Sequence, residues 1–301
     1  MLRTWKPENV CMETLPLDIG TRLQEGKSIF MPNTQDTLAG LRKWRLERDD
    51  TGPHRVYRDS SGNVYTSVTH ILKETSDTTG LVRWEQRLGP SEAGAQRQMA
   101  ATRGNLAHNQ AEYLLKTAQQ LARNTANKRN AIKWDELGLA RIPAPITQWA
   151  LKRVRPNVPK VGFSAAGYAR CLSNWIADNV TEIFASEFSI HHPAGFAGTC
   201  DALLSLKGHS GLVVADWKTS VNRKSLDPGH SYVHQLGAYS LGLQHLTGLK
   251  PQGGIIVLAR RCGTPQTHSL DAAELKKAEV AYLERVERYF EALQNPIQVS
   301  A

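Results

Sequence analysis

The sequence holds no apolar run longer than a β-strand, and nothing near the ~20 residues that a membrane-spanning helix needs. Its four cysteines, Cys11, Cys171, Cys200 and Cys262, are scattered and include no Cys-x-x-Cys. That spacing argues against a zinc site or an iron–sulfur cluster, both of which want clustered ligands, and fits reduced thiols in a cytosolic protein. Residues 1–20 lack an apolar core and carry Glu8, Glu13 and Asp18, which argues against a secretory or transit peptide. Internal repeats and low-complexity tracts are absent too, so a solenoid or a disordered scaffold is not expected.

What is present is an ordinary core and an uneven charge. The 301 residues are 41% hydrophobic, enough for one large domain or two small ones. The net charge is +9, and it is concentrated. Residues 97–160 hold 12 Lys and Arg against 3 Asp and Glu, a balance of +9, so the rest of the chain is neutral. A solvated basic face with no partner is one reading of that segment; a polyanionic partner, DNA or RNA, is the favoured one.

The pattern along the chain alternates elements. Residues 1–54 read as an irregular arm. His54–Arg58 and Val64–Val68 flank a polar turn and read as a hairpin. Thr69 is placed to cap a helix beginning near His70. Residues 80–120 read as helical with a break at Gly89-Pro90, and 122–160 as short helices and loops carrying Trp134 and Trp149. Ser164–Asn179 reads as a helix, Thr181–His191 as a strand, Tyr232–Thr247 as a helix, Gly254–Arg260 as a buried strand and Thr264–Leu270 as an edge strand. A last helix is capped by Asp271. The order predicts an α/β core with a mixed sheet.

The densest chemistry lies between Asp201 and Lys218. Ala202–Leu206 and Leu212–Ala215 are apolar, and Lys207-Gly208-His209-Ser210-Gly211 breaks them as a turn. A register symmetric about that turn sets Asp201 opposite Asp216. Strand alternation then puts Asp216 and Lys218 on one face and Trp217 on the other. Strands disfavour aspartate, so two of them within apolar runs need a reason. Two carboxylates and a lysine at one spot suit a divalent-cation site. Glu187, on the preceding strand, either reaches such a metal through water or pairs with a lysine. Gln235 and Tyr239 are four apart and share a helix face, where core packing is a full alternative for Tyr239.

Taken in order, Arg103-Gly104-Asn105-Leu106-Ala107-His108, Gly198-Thr199-Cys200-Asp201, Asp216-Trp217-Lys218 and Gln235-Leu236-Gly237-Ala238-Tyr239 resemble the PD-(D/E)XK nuclease superfamily, and within it the RecB-like branch. Tyr65–Leu72 is similar to a segment of the mitochondrial genome maintenance exonucleases and their phage-encoded relatives. The resemblance covers about residues 64–260. Cys200 stands where the family's name places proline, and the iron–sulfur cysteines of some relatives are missing.

The resemblance implies a restriction-endonuclease-like core, a central mixed sheet flanked by helices, over 161–301. A basic helical clamp or arch spans 55–160, after the 1–54 arm. It implies one or two Mg²⁺ or Mn²⁺ ions, held by Asp201, Asp216, His108, the carbonyl of Trp217 and, more loosely, Glu187. Glu112, one helical turn after His108, is placed to support it. Catalytic roles fall to Asp201, Asp216, Lys218 and Gln235. DNA contacts are expected from Ser67, Thr69, Arg103, Arg223, Lys224 and Tyr239. The activity implied is a DNA exonuclease preferring single-stranded ends. A RecB-like endonuclease and a non-catalytic DNA-binding factor are the alternatives. A helicase or recombination partner, and a bacterial or phage-infected cytoplasm rather than a mitochondrion, complete the expectation.

Overall fold

The computed structural model describes residues 37, 38, 41 and 46–294, all within one unit spanning Gln35–Ala301. Most of the 1–54 arm, with Cys11, lies outside the described residues. Its end is not irregular: β1 (Glu47–Asp49) pairs antiparallel with β2 (Val56–Arg58), which pairs with β3 (Val64–Ser67). The turn between β2 and β3 is tied by Asp59, whose Oδ1 accepts the amides of Ser61 and Asn63.

A mixed eight-stranded sheet organises the rest, in the order β1-β2-β3-β7-β8-β9-β10 with β6 on β7. β6 (Val180–His192) and β7 (Phe196–Leu206) form a long antiparallel hairpin. β8 (Val213–Thr219) pairs antiparallel with β7 and parallel with β9 (Gly253–Ala259), and β10 (Gln266–Asp271) closes the edge. One consequence decides where the site lies. β6 covers one edge of β7 along its length. On the other edge, β3 pairs with Phe196 and Ala197, and β8 pairs with Ala202–Leu204. Residues 198–201 of β7 therefore have no strand partner on that edge, and the sheet forks there.

Helices cover both faces. On one lie α3 (Pro90–Lys128), α4 (Ala144–Val154) and α5 (Phe163–Asn179), packed on Ala202, Leu204, Val213, Ala215, Trp217 and Val257. On the other lie α1 (Val68–Glu74), α6 (Ser231–Thr247) and α7 (Ala272–Gln294), packed on Cys200, Leu203, Val214, Ile256 and Leu258. A short α2 (Thr79–Leu88) precedes α3.

Three local differences from the sequence reading have physical causes. The helix after Gly89 does not stop near residue 121. Pro90 starts α3 at a position where no amide donor is lost, and buried Ala107, Ala111, Ala118, Ala122 and Ala126 carry it to Lys128 against α4 and α5. Residues 133–141, expected as loop, include the two-stranded ladder β4 (Lys133–Trp134) with β5 (Ala140–Arg141). The cap of α1 is Ser67, whose hydroxyl accepts the amide of His70 at 3.1 Å, and not Thr69, which sits inside the helix. The capping of α7 takes reciprocal form: Asp271 accepts the Glu274 amide at 2.8 Å and Glu274 accepts the Asp271 amide at 2.9 Å.

α6 and α7 approach closely at Gly237, where an added Cβ would collide with the backbone of Ala278 and Glu279. Backbone cannot swing aside as a flexible side chain can. Gly237→Ala is therefore expected to destabilise the protein by ~1–3 kcal/mol by overpacking, against the ~1 kcal/mol that alanine's helix propensity offers. Urea denaturation measures it; an unchanged or raised midpoint would refute the close packing.

Candidate metal centre

The fork in the sheet gathers the acidic groups. In the β6–β7 register Ser186 faces Ala202 and Phe188 faces Cys200, so Glu187 stands across from Asp201. In the β7–β8 register Ala202 faces Ala215, so the next step sets Asp201 across from Asp216. Glu187, Asp201 and Asp216 thus form a row over three neighbouring strands, each roughly 5 Å from the next by strand spacing. Asp201 and Asp216 are buried. Lys218, two residues beyond Asp216, shares its face, and its Nζ lies 2.5 Å from Asp216 Oδ2. The ring of Trp217 turns to the other face and packs edge-on against Trp175.

Each group is held by a local device. Asp201 Oδ2 accepts the Trp217 amide at 2.5 Å, a side chain standing where strand pairing stops. His108 reaches in from α3, its Nδ1 3.3 Å from Asp201 Oδ1. The close approach of α3 is permitted at Gly104, where a Cβ would lie 3.7 Å from Thr219 Oγ1. Glu187 adopts φ +48°, in the left-handed region that a side chain other than glycine, asparagine or aspartate seldom enters. Two register shifts lie earlier in β6, between Val180 and Glu182 and between Ile183 and Ala185. Strain of this kind persists where the surroundings impose it, and it gathers at functional sites.

Ligand atoms of His108, Glu187 and Asp201 all fall within 4.8 Å of one another. Asp216 Oδ2 is buried and has no hydrogen bond, only the ion contact with Lys218. Three carboxylates and one imidazole facing a common space fit a hard divalent cation. Gln235 on α6 is buried and donates to Tyr239 Oη at 2.5 Å. Both line the cleft, which encloses about 350 Å³, but Tyr239 is buried among core side chains, and its hydroxyl serves Gln235 and is not spread on the surface. Ser67 and the exposed Thr69 line the cleft as well. So does Glu112, which pairs with Lys116 and has no bond to His108.

Arg103, Arg223 and Lys224 lie outside the cleft lining. Arg103 rests 4.7 Å above the ring of Tyr168. Lys224 bonds the hydroxyl of Tyr232 at 3.2 Å, and that same ring lies 5.1 Å from the Lys218 ammonium, so Lys224 borders the site. Arg223 is in the exposed loop beside it. Sequence reasoning overlooked Arg48 and Arg55, which also line the cleft. Their side chains are drawn together by Asp50, whose two oxygens each accept from one of them at 2.6 Å. The only sequence signal for this was the clustered charge of Arg48-Asp49-Asp50 and Arg55.

The model of the PD-(D/E)XK nuclease superfamily matches residues 82–300. The chain belongs to this superfamily. No curated protein matches the sequence. A solved structure described as "Crystal structure of SSO0001" is similar over 62% of this chain and 86% of its own, at 16% identity and a TM-score of 0.24. Superfamily nucleases use divalent metal ions, and the donor set fits one. When bound, the ion supplies Lewis-acid activation of water and neutralises charge on a phosphate. Among the described residues, no helix is long and apolar enough to cross a membrane.

Electrostatics show how the cluster is balanced by protons alone. Burial would push the His108 imidazole down, but the Asp201 carboxylate outweighs it and holds it up at about 9. Burial first, and then the charge of Asp201, raise Glu187 to about 8. Burial raises Asp216 to about 6, with Lys218 pulling the other way. Against its burial, His108 and Lys218 hold Asp201 below the ordinary range, and Asp216 and Asp201 hold Lys218 above its own.

The first three groups bind protons more tightly folded than unfolded, so their contribution to stability is full below the unfolded values of 6.5, 4.5 and 3.8 and is lost as pH rises through about 9, 8 and 6. Asp201 and Lys218 contribute constantly between pH 6 and 8.5. While histidines held low by burial, His192 at about 4 among them, add stability as pH rises to about 7, this cluster's share of metal-free stability should fall from pH 6 to 8.5. A divalent ion competes with those protons, so the rise in Tm on adding Mn²⁺ should grow over the same range. Melting scans in EDTA and in Mn²⁺ measure both; a metal-induced gain that shrinks as pH rises would contradict this arrangement.

Proposed function

We propose that this nuclease is a Mg²⁺- or Mn²⁺-dependent DNA exonuclease of the RecB-like kind that acts on single-stranded ends. The observation carrying it is the meeting of Asp201, Asp216 and Lys218 with His108 at the fork of the sheet, in a cleft lined by α3 and by Arg48 and Arg55. His108, Asp201, Asp216 and Glu187 are the metal-binding groups, with the carbonyl of Trp217. Lys218 orients the attacking water and offsets charge on the non-bridging phosphate oxygens. Gln235, fixed by Tyr239, steadies the strand near the reacting phosphate. Thr69 donates to the phosphate backbone, with Ser67 ordering the helix start beneath it. Lys224 and Arg223 contact phosphates at the rim.

Residues 55–160 are the clamp in this reading. Their basic stretch draws a polyanion by long-range attraction. The partner is DNA with a free end, delivered by a helicase or recombination factor in a bacterial or phage-infected cell.

End-labelled linear single strands, linear duplexes and closed single-stranded circles, each with Mg²⁺, Mn²⁺ or EDTA, test the reading. Linear single strands should be degraded fastest, EDTA should abolish cleavage, and circles should resist. Lys218→Ala should lower the rate by ~10²–10³-fold, as removal of one transition-state donor does. Circles cut as fast as linear strands would make the protein an endonuclease. DNA binding without cleavage under any metal would make it a binding factor.

A further inference from the structure

The cleft reaches the carboxyl end of β8, where Asp216 and Lys218 line it. Lys218 and Thr219 pair in register with Leu258 and Ala259, and the chain after β9 runs on into Arg260 and Arg261. The Arg261 guanidinium lies over the ring of Phe163, 5.4 Å from its centroid. Phe163 opens α5 and is 85% exposed, the most exposed large hydrophobic side chain among the described residues.

One exposed phenylalanine is ordinary on a protein surface. Three further observations separate this one. It is joined to the cleft: Gly104 approaches Thr219, the adjacent Arg103 covers Tyr168, and Gly167, next to Tyr168, packs so closely on Arg261 that a Cβ there would lie 2.6 Å from its carbonyl oxygen. The path is also short. Arg261 follows the strand partner of Lys218, Leu258, by three residues, in the turn just past the end of β9. Finally, the segments that carry Phe163 and Arg261 hold no acidic residue. None lies between Glu136 and Asp178 or between Asp227 and Asp271, while Lys160 and the exposed Arg170 are basic.

We propose that Phe163 and Arg261 form a stacking ledge for single-stranded nucleic acid beyond the cleft. A base stacks on the free face of the Phe163 ring, while Arg261 covers the other face and meets the neighbouring phosphate. Aromatic stacking is tolerant of base identity because every base offers a π-face. The ledge so holds a few nucleotides away from the reacting phosphate whatever their sequence. The ledge rests on the nuclease reading only for which strand it holds; its binding role stands alone.

Fluorescence anisotropy of labelled oligo-dT with the full chain in EDTA separates binding from cleavage. Phe163→Ala should weaken single-strand binding about 5- to 100-fold, and Phe163→Trp should restore it. Arg261→Ala should weaken binding and flatten its dependence on salt. Blunt duplex binding should change little in any of them. Since Phe163 is exposed, its variants should melt as the wild type does. Wild-type affinity in Phe163→Ala, equal losses for duplex and single strand, or no wild-type binding to oligo-dT would each overturn the ledge. Wild-type cleavage with Mn²⁺ is scored separately: an inactive wild type whose Phe163→Ala variant loses oligo-dT binding would sink the exonuclease reading and keep the ledge.

Discussion

The structure depends on compensating carboxyl groups that are gathered and buried at one spot. Asp201 and Asp216 are buried side by side at the fork of the sheet, and an uncompensated charge there would cost several kcal/mol. Everything near them supplies compensation. Trp217 donates its amide, Lys218 brings its ammonium against Asp216, and His108 turns its ring nitrogen to Asp201. Even so the balance is short by one positive charge when His108 is protonated: Glu187, Asp201 and Asp216 face Lys218 and His108. Glu187, raised to about 8, meets the deficit by keeping its proton near neutral pH, and Asp216, raised to about 6, keeps its own only below that. A divalent cation resolves the same deficit while freeing those protons, which is why a cluster so poorly balanced by itself is well suited to a metal.

The sheet's fork makes this possible. A continuous ladder through residues 198–201 would have closed the space in which the acids meet. Because β3 and β8 leave the same edge of β7 at different points, the backbone opens without a break in the hydrophobic layers above and below. The long β6 keeps the opposite edge intact. Rigid elements thus frame the site on every side, with α3 bringing His108 and α6 bringing Gln235.

Much of this was legible in the sequence, and the reasons differ by residue. The β7–β8 hairpin was readable because its apolar runs are symmetric about a Gly-flanked turn, and that symmetry alone places Asp201 opposite Asp216. The separation of Trp217 from Asp216 and Lys218 needs only the period of a strand. Glu187 was not resolvable: an unbroken register from the turn after β6 sets it across from Asp201, but its left-handed backbone has no glycine to announce it. The choice of Ser67 over Thr69 as a cap turns on where β3 ends, a boundary set by pairing with Gly195 and Ala197 rather than by local propensity. Arg48 and Arg55 come to the cleft through a three-stranded extension whose first strand has only three residues, too short to show a pattern.

The basic segment illustrates the same limit from the other side. Its charge was plain in composition, but composition does not say which cations face the cleft. Many point elsewhere: Arg141 pairs with Glu182 and Asp135, and Arg155 bonds Asn174. Cations that line the cleft come also from outside it, Lys218 from β8 and Arg48 and Arg55 from the β1–β2 extension. Net charge therefore governs the approach of a polyanion over distances near the Debye length. Its final position is decided by a few side chains that the fold, and not the charge count, brings to the edge of the cleft.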